Sequence, residues 1–201
     1  MKSEQYLVLH GLAIKKYASA DAVAGIMGLD PEHVASVLRE ATARGRVLEA
    51  NGKYSLAPTT RIALAGDYSR HCADLRESQP FAKAYEEFER VNSTLKVLIT
   101  HWQTVDIAGS AITNDHADTA YDSRIIDRLG DLHERADRIL AEFARHLPRL
   151  QVYRDKLSLA LERAEDGALE WVSDAKIESY HTLWFELHED LLCMLGRTRV
   201  E

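Results

Sequence analysis

Apolar positions recur every three or four residues along most of the chain, which is the spacing of amphipathic α-helices. Between residues 19 and 61 this spacing is broken by a turn and then by two short segments rich in strand-forming residues. The pattern predicts two helices followed by two strands, in the order Ala20–Met27, Pro31–Arg44, Val47–Glu49 and Lys53–Leu56.

Local signals support these boundaries. Asp30 can cap the second helix, because its side-chain oxygen can accept hydrogen bonds from the unpaired amides of the first turn. Pro31 then occupies the first helical position, where a missing N–H costs nothing. Gly45 suits a left-handed helix cap, and Asn51-Gly52 tolerates the positive φ that a tight hairpin turn requires.

Two helices, a turn and a small hairpin resemble the winged helix-turn-helix domain of MarR-like bacterial transcription regulators. The resemblance covers residues 6–65, about a third of the chain. It implies that double-stranded DNA is a partner, that Pro31–Arg44 is the recognition helix in the major groove, and that Lys53 and Tyr54 lie in the wing. The candidate DNA-binding residues are His33, Ser36, Arg39, Arg44, Arg46, Lys53, Tyr54 and Arg61.

The remaining chain has helical spacing and almost no strand signal. We therefore expect a mainly α protein, with a winged helix-turn-helix domain over residues 1–66 and an antiparallel helical bundle over residues 67–201. Thr59 or Thr60 is expected to cap a linking helix that runs toward Glu77, and residues 105–114 are expected to form a loop. The last helix, predicted over about Asp174–Leu195, has two apolar stripes, which is typical of a helix at a bundle centre or a homodimer interface.

The charge is unevenly distributed. Residues 1–66 contain 8 Lys and Arg against 6 Asp and Glu, and the rest contains 17 against 26. The net charges of +2 and −9 suit a DNA-binding N-terminal domain followed by an acidic domain, although Asp30 and Glu32 would repel phosphate at the start of the recognition helix. The two cysteines lack metal or redox spacing, and no signal peptide or long apolar run occurs, so we expect a cytoplasmic location and no membrane partner.

Polar and aromatic residues concentrate before a long helix and along the last helix. We predict that they form one ligand pocket for a small-molecule effector, built from Trp102, Asn114, His116, Asp118, Tyr121, Asp122, His181, Trp184 and His188. Two alternatives stay open. Asp118 or Asp122 can simply cap the helix, and the histidines can be satisfied core residues or, with Glu178, ligands of a metal ion.

No catalytic motif occurs, so an enzyme is not expected and no cofactor is assigned. The preferred function is a DNA-binding, ligand-controlled regulator. The alternative is an accessory module that docks on an enzyme. That alternative is suggested by residues 179–192, which are similar to sequences of phosphoenolpyruvate-utilising dikinase-like enzymes of actinobacteria. The third hypothesis is a small metal-dependent enzyme.

Overall fold

A computed structural model describes residues 4–107 and 109–198. In this part the protein is mainly helical, with ten α-helices and two small antiparallel sheets of two strands each. The helices are α1 Glu4–Lys15, α2 Ala20–Met27, α3 Pro31–Ala43, α4 Pro58–His71, α5 Ala73–Glu77, α6 Gln79–Gln103, α7 Thr119–His146, α8 Gln151–Glu165, α9 Glu170–Ser173 and α10 Tyr180–Leu195. The strands are β1 Val47–Ala50, β2 Lys53–Leu56, β3 Thr104–Ile107 and β4 Ser110–Thr113.

The chain divides into two compact units. The first comprises the described residues of Met1–Ser78 and Glu186–Glu201, and the second comprises those of Gln79–Phe185. The sequence placed a single boundary after Gly66, whereas the first unit continues through α4 and α5. It also includes the C-terminal half of α10.

In the first unit, α1 packs on α2, α3 and α4 around a core of fully buried side chains that includes Leu12, Ile26 and Leu38. Gly11 allows α1 and α2 to approach closely, because a Cβ at this position would lie only 2.7 Å from Cγ of Met27. The Asp30 side chain accepts a hydrogen bond from the His33 amide at 2.8 Å, so the predicted cap is present and stabilises α3 by about 1 kcal/mol.

The hairpin of β1 and β2 is present as predicted. Val47 pairs with Leu56, and both side chains are buried, which holds the hairpin on the helices. Asn51 and Gly52 have φ values of 52° and 71°, as their turn requires. Ala18, between α1 and α2, forms an isolated antiparallel bridge with Tyr54 and so adds a third short segment to this sheet.

In the second unit, α6 and α7 run antiparallel, since the Phe81 ring near the start of α6 contacts the Phe143 ring near the end of α7. Helix α8 runs antiparallel to α7, and the Asp137–Arg154 ion pair joins them. The start of α10 packs against the same helices, where the Trp184 ring stacks on Phe88 with a centroid separation of 4.8 Å.

Three boundary predictions were wrong. Residues 105–114, expected as a loop, contain most of the β3–β4 hairpin, so the region expected to be a helical bundle also contains a small sheet. Neither Thr59 nor Thr60 caps the linking helix, because α4 starts at Pro58 and ends at His71 before α5 begins. The last helix starts at Tyr180 and not near Asp174, because residues 175–178 form turns and the Ser179 hydroxyl then accepts from the Thr182 amide at the start of the helix.

No helix within residues 4–107 and 109–198 is both long and apolar enough to span a bilayer.

Candidate functional site

The polar segment before α7 forms a compact hydrogen-bonded cluster, which we call the His116 cluster. It comprises Trp102, Asn114, His116 and Asp122. The buried Asn114 amide donates to the Trp102 carbonyl and to the Asp122 carboxylate, both at 3.0 Å. His116 Nδ1 lies 3.0 Å from the second oxygen of Asp122. Five of the nine residues predicted for the pocket lie in this short segment, and Trp102 joins them from the end of α6.

His116 is the exceptional member of the His116 cluster. Its φ is 60°, a left-handed conformation that is uncommon for residues other than glycine. The backbone is held there by the Asn114 side chain, which accepts from the His116 amide at 3.0 Å, and by the ring of Trp102, whose centroid is 4.5 Å away. The contact with Asp122 uses Nδ1, and Nε2 makes no hydrogen bond within the described part of the chain.

Two further predicted residues have structural roles beside this cluster. Asp118 is the N-cap of α7 and accepts from the Tyr121 amide at 2.9 Å, so the capping interpretation is correct for this residue. The Tyr121 hydroxyl donates to the His101 carbonyl at 2.8 Å and so closes the last turn of α6. A cleft of about 420 Å³ lies beside Asp122, lined by residues of α7, of α8 and of the turn after α8.

Of the predicted residues of α10, Trp184 lies away from the His116 cluster. Trp184 donates from Nε1 to the Asn92 side chain at 3.0 Å. Asn92 and Trp102 are ten residues apart on α6, about 15 Å along the helix axis. His181 lies one turn before Trp184 and is half-buried, and His188 is buried in the other compact unit. Ligand binding by any of these residues stays a prediction.

The predicted DNA-binding residues are spread over the exposed side of the first unit. Two of them, His33 and Tyr54, have half-buried side chains. The other six have exposed side chains: Ser36, Arg39, Arg44, Arg46, Lys53 and Arg61. Some of them already have partners. Arg44 pairs with Glu40 at 2.6 Å, His33 Nε2 lies 2.9 Å from a Glu4 carboxylate oxygen, and the Lys53 ammonium lies 5.5 Å from the centre of the Tyr17 ring. Arg39 makes no ion pair within the described residues.

A buried polar cluster that the sequence did not indicate joins α1, α4 and α10. His10 Nδ1 lies 2.8 Å from the Tyr68 hydroxyl, and His10 Nε2 lies 2.8 Å from the Asp190 carboxylate. His10 is 1% exposed and Asp190 is 0% exposed. Burial raises the pKa of the Tyr68 hydroxyl far above its usual range, and burial also raises the pKa of the nearby Cys193 thiol to about 11. At neutral pH both groups are therefore protonated, and neither is an activated nucleophile.

A second histidine that the sequence did not indicate is His133 of α7, which contacts residues of α8 and α10. His133 Nδ1 is 3.1 Å from the Tyr180 hydroxyl, and Nε2 is 3.2 Å from the Ser158 hydroxyl. Burial lowers the pKa of His133, with a smaller opposing effect from Asp137. The imidazole is thus held neutral between two hydroxyl groups.

The His133 environment gives a pH prediction. Protonation of His133 is easier in the unfolded chain, where a histidine pKa is about 6.5, so the native state should lose stability as pH falls from 7 toward 5. We expect the drop in unfolding free energy over this range, measured by urea denaturation, to be smaller in His133→Gln than in the wild type. The other eight histidines are the same in both proteins and therefore cancel in this comparison. If the unfolding free energy falls equally with pH in both proteins, His133 does not have a lowered pKa in the native state.

Within the described residues, no group of three or more His, Cys, Asp or Glu side chains is arranged to hold a metal ion. A scan against protein-family models and searches of curated proteins and of solved structures found no match for this chain. Any functional assignment therefore depends on the physical features of the two units.

Proposed function

We propose that residues 6–65 form a winged helix-turn-helix that binds double-stranded DNA, and that the protein regulates transcription. The main observation in support of this proposal is the order of the helices and strands and the way the strands pair. Helix α1, the Ala18 segment, the helix pair α2 and α3, and the β1–β2 hairpin follow one another, and Ala18 pairs with Tyr54 of the hairpin. A short sheet of this kind beside two helices joined by a tight turn is the arrangement that presents a recognition helix.

The exposed face of α3 supports the proposal. Helix α3 is thirteen residues long, or about 20 Å, and its buried side chains Val34, Leu38 and Ala41 lie on one face. Ser36 and Arg39 are exposed on the helix. An α-helix fits the major groove, where an arginine can donate two hydrogen bonds to guanine and a serine can contact several bases.

The charge of this face predicts weak DNA binding with a small but measurable salt dependence. Among the exposed residues from Pro31 to Lys53 there are four cations, Arg39, Arg44, Arg46 and Lys53, against three carboxylates, Glu32, Glu40 and Glu49. Because Glu40 already pairs with Arg44, that guanidinium is partly neutralised before any phosphate approaches. Few phosphate contacts are therefore available, and the salt dependence should be correspondingly shallow.

Two sets of substitutions should change DNA affinity in opposite directions. Replacing Arg39 and Lys53 with Ala should weaken duplex binding, and each lost phosphate contact should reduce the slope of log affinity against log salt by about 0.9. Glu40→Gln should strengthen binding, because it removes a repulsive charge and releases Arg44. Fluorescence anisotropy of labelled duplexes from the genomic neighbourhood, at several NaCl concentrations, measures both effects.

A matched control is Arg128→Ala, which removes an exposed arginine from α7 in the second unit and should leave the affinity unchanged. The proposal fails if the wild type binds none of these duplexes in a salt-sensitive manner. It also fails if Arg128→Ala weakens binding as much as the substitution of Arg39 and Lys53 does.

A specific observation favours the second candidate, an accessory module that docks on a protein. Leu48 is 55% exposed and Tyr17 is 47% exposed, and the Tyr17 hydroxyl donates to the Ala50 carbonyl of the same hairpin. Exposed apolar side chains beside carboxylates suit a protein partner better than a phosphate backbone. Absence of duplex binding, together with an unchanged fold, would favour this candidate.

A further inference from the structure

The hydrogen bonds of the His116 cluster assign the proton of its imidazole ring. Asn114 Oδ1 accepts from the His116 amide at 3.0 Å, which fixes the orientation of the Asn114 side chain. Both hydrogens of Asn114 Nδ2 are then used, because it donates to the Trp102 carbonyl and to Asp122 Oδ1. No hydrogen is left for His116 Nδ1, 3.2 Å from Nδ2. An ionised carboxylate can only accept, so Nδ1 carries the proton and donates it to Asp122 Oδ2 at 3.0 Å.

The neutral imidazole of His116 therefore carries its lone pair on Nε2. This nitrogen makes no hydrogen bond within residues 4–107 and 109–198, and the side chain is 32% exposed, so solvent reaches it. The other edge of the ring is held by Asp122, which is only 2% exposed. A lone pair without an internal partner, on a ring that a buried carboxylate orients, is the arrangement of a nucleophilic histidine.

Three other histidines show what is particular to His116. Both ring nitrogens of His133 face hydroxyl groups. In His146 the Glu142 carboxylate contacts Nε2, and the remaining nitrogen is Nδ1, which the adjacent Cβ crowds. His101 is exposed, but its ring has no hydrogen-bond partner among the described residues, so no carboxylate fixes its tautomer. Among these four, His116 alone combines a carboxylate on Nδ1 with a lone pair on Nε2.

The surroundings of His116 favour a phosphoryl group over an acyl group as the electrophile. Acyl transfer is efficient where preorganised donors surround a tetrahedral intermediate, and N-acyl imidazoles hydrolyse rapidly in water. A phosphoryl group requires in-line access to the nitrogen, and it persists on imidazole at neutral and alkaline pH. Helix α7, with 28 residues, starts at Thr119, so its positive end follows His116 closely in the chain and suits an added negative charge.

Nearby carboxylates restrict the class of phosphoryl donor. Asp115 and Asp118 are exposed in the same segment as His116, and they repel a donor that is wholly anionic. A donor whose leaving group is a protonated amine is attracted instead. Phosphoramidates, in which phosphorus is bonded to nitrogen, have this charge distribution.

We propose that His116 Nε2 accepts a phosphoryl group from a phosphoramidate donor. The lone pair of Nε2 forms a new P–N bond, the P–N bond of the donor breaks, and its electron pair leaves with the amine. The ring gains a positive charge, which is stabilised by the hydrogen bond from Nδ1 to the Asp122 carboxylate. The inference goes beyond DNA binding and does not depend on it.

The test incubates the full chain, without DNA, with potassium phosphoramidate at neutral pH. Intact-mass spectrometry follows the uptake of phosphoryl groups, and peptide mapping under alkaline conditions locates them. We expect the first phosphoryl group on His116, about tenfold faster or more than on His101, although His101 is the more exposed of the two. The ³¹P NMR spectrum should show the phosphoryl group on Nε2 and not on Nδ1.

Asp122→Asn tests the role of the carboxylate. Asn114 still donates to Oδ1 of residue 122, so the new amide nitrogen faces His116 Nδ1 and donates to it. The ring proton then moves to Nε2 and blocks the nucleophile. Phosphorylation should slow about tenfold or more, and ¹H–¹⁵N correlation spectra of the ring should show the proton on Nε2 in place of Nδ1. A purely structural contact would not exchange the tautomer.

Two histidine variants complete the test. His116→Asn should abolish the fast phosphorylation, and asparagine is chosen because it tolerates the left-handed φ of 60° at this position. His101→Gln is the matched control, which removes an exposed imidazole from the end of α6 and should leave the fast phosphorylation unchanged. Circular dichroism checks that each variant is folded.

Four outcomes would overturn the proposal. They are no phosphorylation of the wild type, equal rates at His101 and His116, a fast phase that survives in His116→Asn, and a wild-type rate in Asp122→Asn. Because no DNA is present, a failure of DNA binding leaves each of these results interpretable.

Discussion

Asp190→Ala is expected to lower the unfolding free energy by about 3–5 kcal/mol, the cost of removing one partner from a buried, hydrogen-bonded pair of ionisable groups. The carboxylate lies 2.8 Å from His10 Nε2. Its removal leaves a buried imidazole without its carboxylate partner and beside an empty space, while the Tyr68 hydroxyl stays on the other ring nitrogen. Urea denaturation followed by circular dichroism measures the loss, and Asp74→Ala, a substitution in the short surface helix α5, is the control.

The double variant His10→Leu with Asp190→Leu distinguishes pairing from simple packing. Replacing both partners of a buried pair with apolar residues of similar volume is often close to neutral. The double variant should therefore be more stable than Asp190→Ala alone. If Asp190→Ala costs less than about 1 kcal/mol, a typical value for an exposed ion pair, the pair does not stabilise this unit.

Trp184→Ala is the second substitution with a large expected effect, a loss of about 3–5 kcal/mol in unfolding free energy. Trp184 is 2% exposed and stacks on Phe88 at an interplanar angle of 11°. The substitution removes the stacked ring, creates a cavity and leaves the side-chain oxygen Oδ1 of Asn92 without its donor. Thermal and urea unfolding of the full chain measure the loss.

Trp184→Phe is the matched variant, because it keeps an aromatic ring against Phe88 and loses the indole N–H. Trp184→Phe should lower the unfolding free energy by about 1–3 kcal/mol, because it leaves a buried acceptor without a partner and slightly reduces the side-chain volume. A loss in Trp184→Ala no larger than that in Trp184→Phe would contradict the assignment of Trp184 to the core of the second unit.

The parts of the fold that the sequence predicted well are those with local chemical signals. Asp30, Pro31 and Gly45 set the ends of α3, and Asn51-Gly52 set the turn of the first hairpin. The β3–β4 hairpin was missed for a physical reason. Every residue of β4 is exposed, so no alternation of buried and exposed positions marks the strand. The dipeptide Gly109-Ser110 is also typical of an ordinary loop.

The candidate site was predictable only where its residues are close in sequence. Asn114, His116 and Asp122 lie within one short segment, and the structure brings them together. The expected contribution of Trp184 depended on which helix faces meet, and helical spacing alone does not specify that. The His10–Asp190 pair joins residues 180 positions apart, and no local pattern could have indicated it.

That separation affects how the protein folds during synthesis. A ribosome adding about 5–20 residues per second exposes His10 roughly 9–36 s before Asp190 is made. Throughout this interval α1 to α4 lack the helix that covers their buried imidazole, so the first unit cannot complete its core as it emerges. Contacts of such long range slow folding and leave apolar surface open to aggregation. The first part of the chain to be synthesised is thus among the last to reach its native packing.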